Sequence, residues 1–112
     1  MPVLMISTNV TAGNSAVVLH RLSREVAEML GKPESYVMVQ LHDRQRMLFA
    51  NSDAPLAYCE LKSIGLPVER NTEFCDRLCM LINELLGVPP KRVYIEFMVT
   101  ERHMCGWNSQ TF

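Results

Sequence analysis

Leu30-Gly31-Lys32-Pro33-Glu34-Ser35-Tyr36-Val37-Met38-Val39-Gln40-Leu41 and Leu86-Gly87-Val88-Pro89-Pro90-Lys91-Arg92-Val93-Tyr94-Ile95-Glu96-Phe97 are two copies of one pattern. Each reads Leu-Gly-x-Pro, then three residues, then Val, any residue, an aliphatic, Gln or Glu, and an apolar residue. The second copy begins 56 residues after the first, half of the 112-residue chain. The halves, roughly 1–56 and 57–112, therefore read as repeats of one unit within a single domain over residues 1–112.

Periodicity defines the unit. Val18, Leu22, Val26, Met29 and Leu30 recur at three- and four-residue steps, as do Phe74, Leu78, Leu81, Ile82 and Leu85. Asn14 or Ser15 can cap the first helix and Asn71 or Thr72 the second. Gly31 and Gly87 stand where a helix needs a left-handed residue after its end, and Pro33 and Pro89 forbid continuation. Strand-like runs precede the helices (Val3 to Thr8, Leu56 to Ile64) and follow them (Tyr36 to Leu41, Arg92 to Val99). The unit is strand–helix–strand. Two of them give an α/β (α+β) domain with a four-stranded mixed sheet and both helices on one face. Val3 to Ile6 and Val37 to Val39 are apolar at successive positions, which asks for cover on the second sheet face as well. That points to an obligate oligomer. The apolar tail, with Trp107 and Phe112, reads as docked rather than frayed.

Composition narrows the function. Apolar residues make up 48% and charged residues 21%, with a formal net charge of −1, so no basic excess draws the chain to nucleic acid or to an anionic membrane. No run is long enough to span a bilayer, and the start has no charged-then-apolar leader, so no secretory signal is expected. Cys59, Cys75, Cys79 and Cys105 lack disulfide-framework and zinc spacing, and His20, His42 and His103 are scattered. Free thiols in a reducing, cytoplasmic compartment and no metal site are the expectation.

Pro2 follows the initiator Met. A small second residue normally allows Met removal, which would leave a secondary amine at the start of the first strand. An α-amino group titrates near about 7.7–8.0 in water, and a low-dielectric pocket lowers that value. A rigid amine that is neutral at rest is a general base. The plainer reading is that a strand can begin with Pro because no ladder donor is lost there. Lys32 is either a cation at a helix C-terminus or a point charge for an anionic substrate. Its counterpart Val88 carries no charge, so the repeat itself does not need one. Tyr36 and Tyr94 read as strand packing or as ligand contacts.

Pro2, Thr8-Asn9, Gly31-Lys32-Pro33, Ser63-Ile64-Gly65, Arg92-Val93-Tyr94-Ile95 and Gly106-Trp107-Asn108 together resemble the macrophage migration inhibitory factor family, a branch of the tautomerase superfamily. The resemblance spans essentially the whole chain. It implies a homotrimer with active sites between subunits, and keto–enol tautomerisation of phenylpyruvate-like and dopachrome-like α-keto acid substrates without cofactor. It implies Pro2 as catalytic base, Lys32 on the substrate carboxylate or carbonyl oxygen, Ile64 as a binding residue through its backbone amide, and Tyr94 from the neighbouring subunit. Tyr36, Trp107 and Phe112 would form apolar and aromatic walls. Glu96 stands where the best-known members have a substrate-binding Asn, and Cys105 where an aliphatic residue is usual. Only Cys59 remains of the family's CxxC, so dithiol chemistry should be absent. The alternative role implied is a secreted cytokine-like ligand of a cell-surface receptor, exported by a non-classical route. Here the Thr11 to Asn14 loop lacks the Arg that vertebrate members use.

Overall fold

Strand β1 (Pro2–Thr8) opens the chain in the computed structural model, which describes residues 1–112. Helix α1 (Ser15–Leu30) and strand β2 (Met38–His42) complete the first unit. Strand β3 (Ala57–Ile64), helix α2 (Asn71–Leu86) and strand β4 (Val93–Thr100) form the second. Each outer strand runs parallel to its own unit's first strand, and β1 and β3 join antiparallel, giving the order β2-β1-β3-β4. The sheet is therefore two pseudo-equivalent strand–helix–strand units meeting back to back.

Both helices end as the repeat requires. Gly31 and Gly87 sit at φ 63° and 70°, where a side chain is strained, and the Gly87 amide donates to Asn83 O at 2.9 Å. Asn14 caps α1, its side chain accepting from the Val17 amide at 3.2 Å. The second cap differs from expectation. The chain enters α2 directly from a 3-10 turn at Val68–Arg70, so Asn71 is already helical, Arg70 holds the boundary, and no side chain caps it. In both repeats the three residues after Leu-Gly-x-Pro also form a 3-10 turn, Glu34–Tyr36 and Pro90–Arg92, rather than the start of a strand. Proline supplies the acceptor each time: Tyr36 N donates to Pro33 O at 3.1 Å, and Arg92 N to Pro89 O at 2.9 Å.

Register decides what is buried. Leu4 pairs with Val39 and Leu61, and Ile6 with Leu41 and Cys59, all directed to the side carrying both helices. There they meet Val18, Leu22 and Val26 of α1 and Phe74, Leu78 and Ile82 of α2. The opposite face has no helix over it. It is mixed rather than apolar, which corrects the reading of Val3 to Ile6: pairing sets Val3 against Lys62, and Met5 against Gln40 and Glu60. Alternation in the partner strands thus places polar groups among the exposed apolar ones.

Two further features tie the units together. Glu25 accepts from Arg77 at 2.9 Å and from Arg21 at 3.3 Å, linking the helices. Those guanidinium groups hold the Glu25 carboxyl below the usual carboxylate range, Arg77 most strongly, against a smaller opposing effect of burial. Thr8 is buried without penalty because its hydroxyl donates to Leu56 O at 2.7 Å.

Candidate active site

One edge of the sheet collects most of the residues singled out in the sequence. Pro2 pairs with Ser63, Ile64 with Thr100, and Val3 with Met38, so the start of β1 and β2 and the ends of β3 and β4 lie together. The ring of Pro2 is fully buried and Ile64 is buried. The C-terminal segment returns to this edge. After a 3-10 turn at Arg102–Met104 it forms a small hairpin of β5 (Gly106–Trp107) and β6 (Gln110–Thr111). Asn108 and Ser109 turn it at φ 51° and 66°, the paired positive values a two-residue hairpin of matching twist needs. Phe112 N donates to Cys105 O at 3.1 Å, which ties the last residue down.

Tyr36, Trp107 and Phe112 then form an aromatic cluster. Tyr36 meets Trp107 edge-on at 5.5 Å between ring centroids and Phe112 at 6.2 Å, and Trp107 stacks on Phe112 at 6.0 Å. The tail docks on its own chain, through the residue ending the first 3-10 turn. The three rings, with Met1, Val3, Val37, Met38 and Cys105, line a cavity of about 280 Å³ whose polar lining is sparse.

The amino terminus belongs to this cavity, since Met1 lines it. Burial pushes the terminal amine below its ordinary 8.0. The charge of Lys32 adds to the effect, Cys105 opposes it, and Arg102 contributes a further lowering. Lys32 is half-buried and enters no ion pair; it does not line the pocket, as Pro2 and Ile64 do not, but its charge acts on the terminal amine that does. Its repeat counterpart, Val88, is fully buried as core. The same backbone place thus holds a packing residue in one unit and a cation in the other.

Tyr94 and Glu96 are not brought to this pocket within the chain. Tyr94 pairs with Tyr58, five residues back along β3 from Ser63, which is about 17 Å at the usual rise per residue. It is 63% exposed, with its ring 4.7 Å from Phe49. Glu96 accepts the Tyr58 hydroxyl at 2.6 Å, and the same hydroxyl lies 3.0 Å from Glu60. The Tyr58 phenol is pushed well above its ordinary range, chiefly because its proton is held in the hydrogen bond to Glu96, with burial, the Glu60 hydrogen bond and the two carboxylate charges adding.

Arg92 was not anticipated from the sequence. Its guanidinium donates to the carbonyls of Phe49 (2.8 Å), Ser52 (2.9 Å), Ala54 (2.9 Å) and Pro55 (3.3 Å) and lies over the Phe49 ring. It thereby shapes the loop against which Tyr94 rests. A signal existed in the repeat: Arg92 is the counterpart of Tyr36. Each closes a 3-10 turn and pins a peripheral segment to its unit.

A larger and more open concavity of about 550 Å³ lies between α2 and β4, with Asn71, Cys75, Asp76 and Phe97 in its wall. It holds no cation or amine, so the acid–base groups favour the smaller cavity. All four cysteines are free. Burial pushes the Cys59 thiol up to about 12 and the Cys79 thiol up to about 11, so neither is a ready nucleophile. No helix is long and apolar enough to cross a membrane.

Comparison with known proteins agrees with this geometry along the whole chain. Residues 1–112 match the family described as macrophage migration inhibitory factor. The macrophage migration inhibitory factor homologue of Brugia malayi is 39% identical, over all of this chain and 99% of the relative. The mouse macrophage migration inhibitory factor is 34% identical over the same shares. Among solved structures, the homologue from Prochlorococcus marinus superposes with a TM-score of 0.93 at 38% identity, covering 98% of each chain. The factor from Trichinella spiralis gives 0.92 at 34% identity, covering 98% of this chain and 99% of that one. The repeat, the amine-bearing edge and these matches lead to one conclusion: the chain belongs to the macrophage migration inhibitory factor family.

Proposed function

We propose that the protein is a cofactor-independent keto–enol tautomerase of phenylpyruvate-like and dopachrome-like acids, acting as a homotrimer with Pro2 as general base. The observation that carries this reading is the Met1 amine, one residue before Pro2, at an aromatic cavity and depressed below its ordinary range by burial and by Lys32. Family membership supports tautomerase chemistry in general. Removal of Met1 would vacate part of the cavity wall and make the ring nitrogen of Pro2 the amine.

In the proposed reaction that nitrogen takes a proton from the carbon beside the ketone. The C–H electron pair becomes the new C=C bond, and negative charge builds on the carbonyl oxygen. Lys32 faces that charge in a low-dielectric setting, where a fixed cation is worth more than in water. The proton is then delivered to oxygen, and the reverse direction uses the same groups. Tyr36, Trp107 and Phe112 hold the aryl ring, and Ile64, beside Pro2, offers its backbone amide to the substrate. Intact mass and an enol–keto absorbance assay on untagged protein test the reading together. Loss of the Met1 mass with turnover of phenylpyruvate is expected; Met1 retained, or no turnover, overturns it.

The position of Tyr94 and Glu96 supports the oligomer. Both lie away from their own chain's cavity and toward solvent, where they can line a neighbour's. Mixing separately impaired P2G and Y94A proteins through dissociation and reassembly should therefore raise activity above the sum of the two parents. Random pairing gives about a quarter of the interfaces an intact Pro2 opposite an intact Tyr94. A mixture no more active than the two parents together counts against a shared site.

The relatives' name, macrophage migration inhibitory factor, supports a second, cytokine-like role; binding to a cell-surface receptor after non-classical export is the form of it we propose. It is compatible with the first. Receptor binding that survives a blocked Pro2 would separate the two.

A further inference from the structure

The interior of the amine-bearing cavity offers a ligand little but hydrocarbon and aromatic rings, so polar ends of a ligand must find partners at its rim. Lys32 is one such partner. A second lies on the C-terminal side. Strand β4 ends at Thr100, paired with Ile64 beside Pro2. The chain then makes a single 3-10 turn whose first residue is Arg102, and Cys105 N donates back to Arg102 O at 3.3 Å. Cys105 is itself a wall of the cavity. Arg102 is thus one short turn from the wall, exposed, and in no ion pair. The neighbouring acid, Glu101, lies 3.3 Å from His103 Nε2. The charge of Arg102 also reaches the terminal amine, as that of Lys32 does.

Two cations outside every ion pair therefore stand near an apolar cavity, both acting on its terminal amine and one of them a single 3-10 turn from its wall. A monoanionic keto acid needs one of them. We infer that Arg102 is a specificity-determining residue and that the preferred ligand is a dianion, an arylpyruvate-type acid with a second acidic group on or beyond the ring. A guanidinium suits that role because its planar fork meets a carboxylate through two parallel donors. This inference rests on the tautomerase reading for the identity of the keto-acid end and stands apart from it for the binding of the far end.

Trp107, the only tryptophan of the chain, reports occupancy from the cavity wall. Its quenching by 4-carboxyphenylpyruvate and by phenylpyruvate gives both affinities without turnover. The R102Q protein should bind the dicarboxylate about tenfold more weakly, the order expected for one lost charge-assisted hydrogen bond. Its affinity for phenylpyruvate should fall far less, and R102K should recover part of the loss. Equal losses for both acids, or none, overturn the inference, since Arg102 would then serve the shared carboxylate or nothing. Turnover of phenylpyruvate is read in the same samples. Absent turnover with Arg102-dependent dicarboxylate binding sinks the reaction and leaves the second-anion contact standing.

Discussion

A protein with one alanine inserted between Met1 and Pro2 is expected to lose tautomerase turnover by about 10²–10⁴-fold, the usual worth of a positioned base. After Met removal that chain begins at alanine, and the Pro2 nitrogen becomes an amide with no basicity. The new amine is displaced by one residue along an extended strand, about 3.3 Å, beyond hydrogen-bond reach of the same proton. Pro2→Gly is a milder test. It leaves a free amine but removes a fully buried ring and its fixed torsion, so a smaller loss, about tenfold or more, is expected from poorer positioning. A steady-state assay on both proteins, at matched protomer concentration, checks the ranking. Undiminished turnover in the insertion protein removes Pro2 from the mechanism.

The pH dependence has a definite sign. Burial and the Lys32 charge lower the Met1 amine below 8.0, and the same surroundings are expected to act on the Pro2 nitrogen once Met1 is removed. The neutral base is thus present above that lowered value, and kcat/KM should fall as pH drops through it. Lys32→Met removes the second cause, so the limb should move to higher pH while kcat/KM also declines. A profile with an unshifted limb in Lys32→Met would place Lys32 outside the electrostatic field of the base.

How much of this was legible follows from which signals are periodic. The Leu-Gly-x-Pro repeat disclosed two strand–helix–strand units because both the glycine after each helix and the alternation of each strand are local demands. Tyr36 and Arg92 escaped it. Each stands directly before the Val of a strand run, which hides a 3-10 turn set by the preceding prolines, a hydrogen-bond preference with no hydrophobic period. Asn71 read as a cap because Asn usually caps, but a turn already in progress at Arg70 made the side chain unnecessary. The hairpin of two-residue strands around Asn108–Ser109 is too short for alternation to show. The mixed uncovered face is hidden for a different reason. The runs Val3 to Ile6 and Val37 to Val39 are apolar taken alone, whereas a face is defined across strands, by Lys62, Glu60 and Gln40. Likewise the aromatic cavity was readable only as composition. That Tyr36, Trp107 and Phe112 meet is a tertiary fact, as is the separation of Tyr94 from Pro2 along β3.

Phe74→Ala is expected to destabilise the protein by about 3–5 kcal/mol. Phe74 has no exposed surface, and it lies in α2 one turn before Leu78 and two before Ile82, also without exposed surface. These residues seat the helix on Leu61 and Cys59 of β3, which are equally closed to solvent. Truncation removes a phenyl ring from a place whose walls are held by sheet hydrogen bonds on one side and by the Arg77–Glu25 link to α1 on the other. Such a frame relaxes little, so the void persists and the cavity cost adds to the lost transfer energy. Arg70, whose guanidinium stands 4.9 Å above the ring, would lose its platform as well. Val17→Ala provides the contrast: at 57% exposure on α1 it should change stability by about 0.5 kcal/mol or less. Urea midpoints at one fixed protomer concentration measure both, so that the proposed assembly, whose contribution depends on concentration, is held constant. If Phe74→Ala cost no more than Val17→Ala, α2 would not be bearing on the sheet. The register that delivers Ile64 and Thr100 to the Pro2 edge would then need another source.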